Sequence, residues 1–392
     1  MGNKISLKYL NLRFCIIMIT VMFIGNMLAI AGISMPMRLV QYTVTYCWLF
    51  GASLLFIVHS SARSNALMVN TTCFSVLIIS VTIIAYYDYG LSTLFNLVTR
   101  STFWAMALIA GYSFGFKKEN SVKKSLLITA FIPLMFFLFT LVDKYLERSE
   151  DRAMITSAYY LICLFPFVAV LKNKVWKDIF VILILTAALL CGKRGGFIAF
   201  SICFVAYMFF KLSNSNKKIA SFLGTIIIVL SMYYILQYVV KVYDFSIFNR
   251  IANIQEDQGS GRIDIYREVW HLIKSMDLFP QLFGRGFNKV YSDLGRNLSA
   301  HNDFLEVIYD YGIIGFALYL NMYRILIKYA RRLLRQKSEY APAFISAIVI
   351  MLVLSMVSHL IIYNTYFIYL CLFFGLVVGD YDRQERERLC KQ

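Results

Sequence analysis

The feature that most constrains this chain is a succession of uncharged apolar runs, each near the length that crosses a bilayer. A hydrocarbon core of roughly 30 Å takes about 20 helical residues. Such runs fall at 14–33, 38–58, 66–86, 91–116, 125–142, 154–171, 177–191, 195–210, 219–240, 302–327, 340–363 and 365–380, which predicts about 12 transmembrane helices. Composition agrees, with 59% hydrophobic and 16% charged residues and a mean hydropathy of +0.65. A soluble domain would carry about a quarter charged residues. The expected fold class is therefore an all-α polytopic membrane protein, in which one helical bundle absorbs the whole chain.

The connectors give the spans a direction. Alternate loops hold Lys4, Lys8 and Arg13, then Arg63, then Lys117, Lys118, Lys123 and Lys124. Later loops on the same side hold Lys328, Arg331, Arg332, Arg335 and Lys337. Lys and Arg accumulate on cytoplasmic loops, so both termini are expected in the cytoplasm. The net charge of +17 follows from the same bias and faces anionic membrane lipids, so nucleic-acid binding is not indicated. Residues 1–240 would hold nine spans, 241–300 a long external loop, 301–380 three further spans and 381–392 a cytoplasmic tail. The N-terminal basic residues, the first apolar run and Ala29-Ile30-Ala31 loosely imitate a signal peptide. The length of the run and the spans after it favour an uncleaved first helix.

Several chemistries lack their residues. Cys15, Cys47, Cys73, Cys163, Cys191, Cys203 and Cys371 lie in or at the end of predicted spans and Cys390 lies in the tail, so no disulfide framework or zinc spacing results. His59, His271, His301 and His359 are scattered and make no ligand set. Asp380-Tyr381-Asp382 imitates the paired acids of metal-dependent nucleotide-sugar glycosyltransferases, but it falls at the charged tail, where a solvated helix end is expected. No metal site and no cofactor are expected.

The loop at 241–300 is too long for an ordinary connection and is nearly balanced in charge, with eight Lys/Arg against seven Asp/Glu. Residues 262–276 alternate apolar and charged faces at helical period. Ile265, Val269, Leu272 and Met276 make one side, with Tyr266, Trp270 and Ile273 beside it, which predicts an amphipathic helix on the bundle or membrane surface. Phe283-Gly284-Arg285-Gly286-Phe287 predicts a tight turn leading towards His301.

Polar groups at span ends need a reason to be there. Arg262 follows Gly259-Ser260-Gly261 at a predicted helix start, where the dipole disfavours a cation but free N–H groups favour phosphate. Either an anion binds there or Arg262 pairs with Asp264 or Glu256. Arg194, after Lys193 and before Gly195-Gly196, is either a snorkelling cation or a ligand-facing one. Arg100 is an intramembrane charge deep in the fourth span, a candidate for function or for an internal ion pair. His301-Asn302-Asp303-Phe304-Leu305-Glu306 opens the tenth span. His301 would sit at a helix N-terminus, whose positive end favours the neutral ring that a general base needs. Asp303 and Glu306 share a helix face and either orient an acceptor or bridge to arginines, while Gly312 and Gly315 favour close helix packing.

The order of Arg194-Gly195-Gly196 at a span turn, Gly261-Arg262 and Tyr266 at a helix start, a long external loop, and His301-Asn302-Asp303 with Glu306 at the next span resembles the bacterial O-antigen ligase and O-antigen or capsular polysaccharide polymerase superfamily. The resemblance implies a bundle of the glycosyltransferase C-like kind in the bacterial inner membrane. It implies a metal-independent, inverting glycosyl transfer with His301 as catalytic base and Arg194 and Arg262 as pyrophosphate-binding groups. The donor would be a glycan on undecaprenyl pyrophosphate. The acceptor would be a lipid-linked repeat unit for a polymerase, with a chain-length regulator as a further partner, or lipid A-core for a ligase. Asn302, Asp303 and Glu306 are the acceptor-orienting candidates; Arg267, Arg285 and Arg100 have no secure family counterpart. The run from His301 to Gly315, preceded by Gly284-Arg285-Gly286-Phe287, looks more like the polymerases. A lipid-linked oligosaccharide flippase would also have twelve spans, but the internal repeat common in transporters is not visible.

Overall fold

The computed structural model describes residues 65–116, 157–190, 194–213, 258–295, 298–362 and 364–392, with Phe131, Leu134, Met135, Leu138, Leu223 and Tyr234. Among these, every regular element is helical: α1 (Ala66–Tyr86), α2 (Leu91–Phe116), α3 (Ser157–Ala169), α4 (Lys174–Leu190), α5 (Arg194–Ser213), α6 (Gln258–Lys274), α7 (Leu278–Phe283), α8 (Lys289–Asp293), α9 (Asp303–Arg335), α10 (Ala341–Val357) and α11 (Asn364–Leu389). Ala66–Tyr89, Gly195–Leu212 and Thr365–Leu389 are long and apolar enough to cross a membrane, and Ala158–Ala169 and Ala341–Val357 are shorter apolar helices. The expected spans 14–33 and 38–58 lie outside the described residues, as do most of 125–142 and 219–240.

Three expected boundaries need correction. The helix expected over 340–363 stops at Val357, and residues 358–362 leave helical geometry. The last helix continues to Leu389, through most of the stretch read as a tail. The tenth span extends to Arg335 and is broken at Gly312, whose φ of 68° and ψ of −173° divide α9 into two arms.

One end of the bundle is tied by a polar knot. The Asn65 side chain caps α1 by accepting from the Leu67 and Met68 N–H groups. Its Nδ2 donates to the Tyr329 hydroxyl (2.9 Å) and to Asp382, whose carboxylate also accepts from Tyr112 (2.8 Å) and Tyr329 (3.1 Å). Asp380 is buried and paired with Arg383 and Gln384. The Asp380–Asp382 pair is thus an internal tie and not a solvated helix end. Towards the opposite ends of α1 and α9, Tyr86 donates to the Phe287 carbonyl and Asp310 accepts the neighbouring Asn288 N–H.

The tightest seam joins α2 and α11, which run parallel. Gly111 and Gly115 face Leu372 and Leu376, and Gly375 and Gly379 face Leu108 and Tyr112. A Cβ at any of the four would collide with a backbone carbonyl of the facing helix. Both helices carry the small-xxx-small spacing that lets membrane helices approach closely. This pairing went unread in the sequence, although the spacing is plain. Phe103, Trp104 and Leu108 of α2 and Phe367, Leu370 and Phe374 of α11 are buried around it. Replacing Gly375 by Leu should lower the thermal midpoint in detergent by several degrees, since forced overpacking costs typically about 1–3 kcal/mol. An unchanged midpoint would show that the two backbones do not touch there.

Candidate active site

The site is built around the non-helical segment that follows α10. Asp303, at the first turn of α9, is fully buried. Its Oδ1 accepts the N–H groups of Leu360 (2.8 Å) and Ile361 (3.3 Å), and its Oδ2 accepts the Tyr319 hydroxyl (3.2 Å). Tyr319 and Tyr323 also bond the Ser355 hydroxyl at 2.7 and 3.0 Å. Asp303 therefore holds the 358–362 backbone where α10 has released it. Asn302 is the N-cap, its side-chain oxygen accepting the Phe304 and Leu305 N–H groups.

His301 stands two residues ahead of α9 with φ 52°, in the left-handed region that costs an L-residue roughly 1–2 kcal/mol. It is half-buried, and its ring lies over His359 with centroids 4.6 Å apart and planes 24° from parallel. His359 Nδ1 is 3.0 Å from the Ser299 hydroxyl. Two of the four histidines, read as scattered, are thus together, and His359 was missed. A contact spanning 58 positions leaves no local signature. Glu306 is also fully buried. Among the described residues neither of its carboxylate oxygens makes a hydrogen bond of regular geometry, and the backbone N–H groups of Ala300 and His301 are the donors near it.

Arg262 reaches the same segment from the loop helix. In α6, Ile265 and Val269, with Met276 just past its end, are buried as the helical period predicts, whereas Trp270, expected beside that face, is exposed. Helical turns continue back to Gln258, although Gly261 takes φ 74° immediately before Arg262. The Arg262 guanidinium donates through Nη1 to the Val357 carbonyl at 2.6 Å, an acceptor released by the end of α10. Asp264 is bonded instead to Arg267, 3.4 Å away on the exposed face, and Glu256 lies outside the described residues. Arg194 is the first residue of α5, and the next residue, Gly195, packs against Val357 and Tyr159. Lys193 lies outside the described residues. The Val357 end of α10 therefore brings together Arg262, the start of α5 and, through His359, His301.

Residues 179–320 match the O-Antigen ligase family model. No curated protein matches the chain. The O-antigen ligase match supports the resemblance read from Arg194, Arg262 and His301, all three of which fall inside it. It ends before Val357–Ile362, so the segment on which these residues converge, with His359, lies outside the matched stretch. Together with the apolar helices, the O-antigen ligase match fits a membrane protein of lipopolysaccharide or polysaccharide synthesis.

The remaining candidates stand elsewhere. Arg285 is 3.5 Å from Asp293 and lies over the Tyr309 ring. Arg100, within α2, is exposed, with its guanidinium 5.9 Å from the Phe287 ring centroid. No cluster of three or more His, Cys, Asp and Glu residues suited to a metal occurs among the described residues. Asp310 was also missed. Fully buried, it accepts the N–H groups of Asn288 (2.7 Å), Lys289 (3.1 Å) and Val290 (3.3 Å), pinning the turn before α8 to α9.

Asp303→Ala should free the Leu360 and Ile361 amides. Hydrogen exchange at those two positions is expected to accelerate by at least about tenfold, the factor for losing roughly 1.4 kcal/mol of local stability. Protection equal to the parent protein would mean that Asp303 does not hold the segment.

Proposed function

We propose that the chain transfers a glycan from undecaprenyl pyrophosphate, at the outer face of the bacterial inner membrane, to the hydroxyl of a second lipid-linked repeat unit. The observation that carries this reading is the convergence of Arg262, the α5 start and the His301–His359 pair on the Val357–Ile361 segment, within a chain similar to the O-antigen ligases. His301 takes the proton of the acceptor hydroxyl as that oxygen forms its bond to the anomeric carbon. The bond from that carbon to the pyrophosphate oxygen breaks, and its electron pair leaves with the pyrophosphate. A single displacement of this kind inverts the anomeric centre. Arg194 and Arg262 offset the charge that develops on the leaving group as preorganised cations. For Arg262, the bond to the Val357 carbonyl supports this role, because it anchors one arm of a guanidinium that carries five donors. No metal is then required to neutralise the pyrophosphate. Asp303 acts as a brace for the site and Asn302 as a helix cap, which leaves Glu306 as the acid near the His301 backbone without a hydrogen bond of regular geometry.

The ligase reading, with lipid A-core as acceptor, is favoured by the description of the matched family. A gel of lipopolysaccharide from a deletion strain distinguishes the two. Loss of a polymerase leaves core capped by one repeat unit, whereas loss of a ligase leaves unattached polymer. Unchanged export with either pattern would remove the flippase reading; loss of export would overturn both transferase readings.

The clamp is tested on purified protein with a lipid-linked donor. Arg194→Ala and Arg262→Ala should each lower turnover more than the corresponding Lys variants, since an ammonium keeps the charge but not the fork. Activity should persist in excess EDTA. Full activity in both Ala variants, or loss in EDTA that Mg²⁺ restores, would defeat the arginine clamp and bring Asp303 and Glu306 forward as ligands.

A further inference from the structure

The second histidine of the stacked pair has no part in the chemistry described so far. His359 is 92% buried by its 8% exposure, so it offers little surface to a substrate, yet one face of its ring is covered by His301. Three contacts fix it from separate elements. Ser299, itself buried just ahead of α9, lies 3.0 Å from Nδ1. The His359 carbonyl accepts the Tyr366 hydroxyl of α11 at 2.5 Å. The following two amides are held by Asp303 of α9. His359 is thus a rigid plate, and His301, half-buried on a backbone in the left-handed region, lays its ring against it. Among the described residues, the charged and titratable groups around the pair include Asp303 beneath the 359–361 backbone, Glu306 near the His301 amide, Arg262 at the Val357 carbonyl and Tyr366 at the His359 carbonyl.

We propose that His359 is a positioning residue for His301, setting the plane of its imidazole and presenting an aromatic face to the imidazolium that forms when His301 takes the acceptor proton. The inference rests on the glycosyl-transfer reading above, in which His301 is the base. A cation over an aromatic face is stabilised by the ring quadrupole, most strongly where water is excluded. A buried plate supplies that stabilisation only after the proton has moved, so it acts on turnover and not on substrate binding. Ser299 serves the plate by fixing its rotation, and the bond uses Nδ1, which lies off the stacked face.

The test is a kinetic series on the full-length protein in proteoliposomes, with lipid-linked repeat unit isolated from a deletion strain as substrate. His359→Ala should lower kcat by about 10- to 100-fold, the scale of a misplaced catalytic group, with KM nearly unchanged. His359→Phe, which keeps a plate but loses the Ser299 bond, should recover most of that loss. Ser299→Ala should give a smaller loss of the same kind and guards against a folding artefact, because it deletes only a hydroxyl. Parent-like kcat in His359→Ala, or a loss in His359→Ala that His359→Phe does not restore while Ser299→Ala is unaffected, would overturn the proposal. His301→Ala runs alongside. If it retains activity, the base assignment fails as a whole; if it alone is inactive, only the role of His359 falls.

Discussion

Backbone that leaves a helix within an apolar bundle must find its hydrogen-bond partners inside the protein, and two buried carboxylates on the first arm of α9 meet that demand. Asp310 takes the N–H groups of Asn288, Lys289 and Val290, and Asp303 takes those of Leu360 and Ile361. Each of these donors, buried and unpaired, would cost about 1–3 kcal/mol. The break at Gly312 completes the exchange. The Tyr309 and Asp310 carbonyls, which lose helical partners at the break, accept the N–H groups of Arg285 and Gly286. Gly312 and Gly284 are glycines because each presses on the backbone of the other segment, Gly312 on Leu282 and Phe283, Gly284 on Asp310. Non-helical backbone of this kind is tolerated at membrane depth where protein surrounds it or where it lines a cavity.

These two carboxylates place the site at the interrupted end of the bundle. With 358–362 pinned by Asp303, the Val357 carbonyl becomes an acceptor for Arg262 and the His359 ring comes to lie against His301. The far end differs in kind. There Asn65, Tyr112, Tyr329 and Asp382 close a network across four helix ends, and the α2–α11 glycine seam allows no adjustment. A rigid base beneath a broken rim suits the proposed transfer, in which two lipid-linked chains would meet a fixed general base.

Much of the helical plan is legible in the sequence, for a simple reason. The limits expected for 66–86 and 91–116 are those observed, because each run ends where its apolar residues end. The loop helix was equally legible, since Ile265, Val269 and Met276 recur at a period that only a helix satisfies. The breaks were not. Ser358 leaves helical geometry within a largely apolar run, and the carboxylate that takes up the freed Leu360 and Ile361 amides, Asp303, is 57 and 58 positions away from them. Asp310 follows Asp303 by seven residues and so shares its face, a signal that was present but was read only as far as Glu306. His359 carried no local signal. Its meaning depends on the ring it meets.

Glu306 shows how the same constraint bears on chemistry. Asp303 and Asp310 are satisfied by backbone donors, but Glu306, between them on the same arm, is buried with neither oxygen in a hydrogen bond of regular geometry among the described residues. A buried carboxylate with donors at poor geometry is costly, and such a cost persists where the surroundings enforce it. Its position facing the Ala300 and His301 amides puts it behind the strained residue that holds the proposed base. A shift of His301 towards the right-handed region would change the distance between those amides and Glu306. The geometry of the base and the satisfaction of the acid are therefore coupled through one short stretch of backbone, and the His359 plate limits how far that stretch can relax.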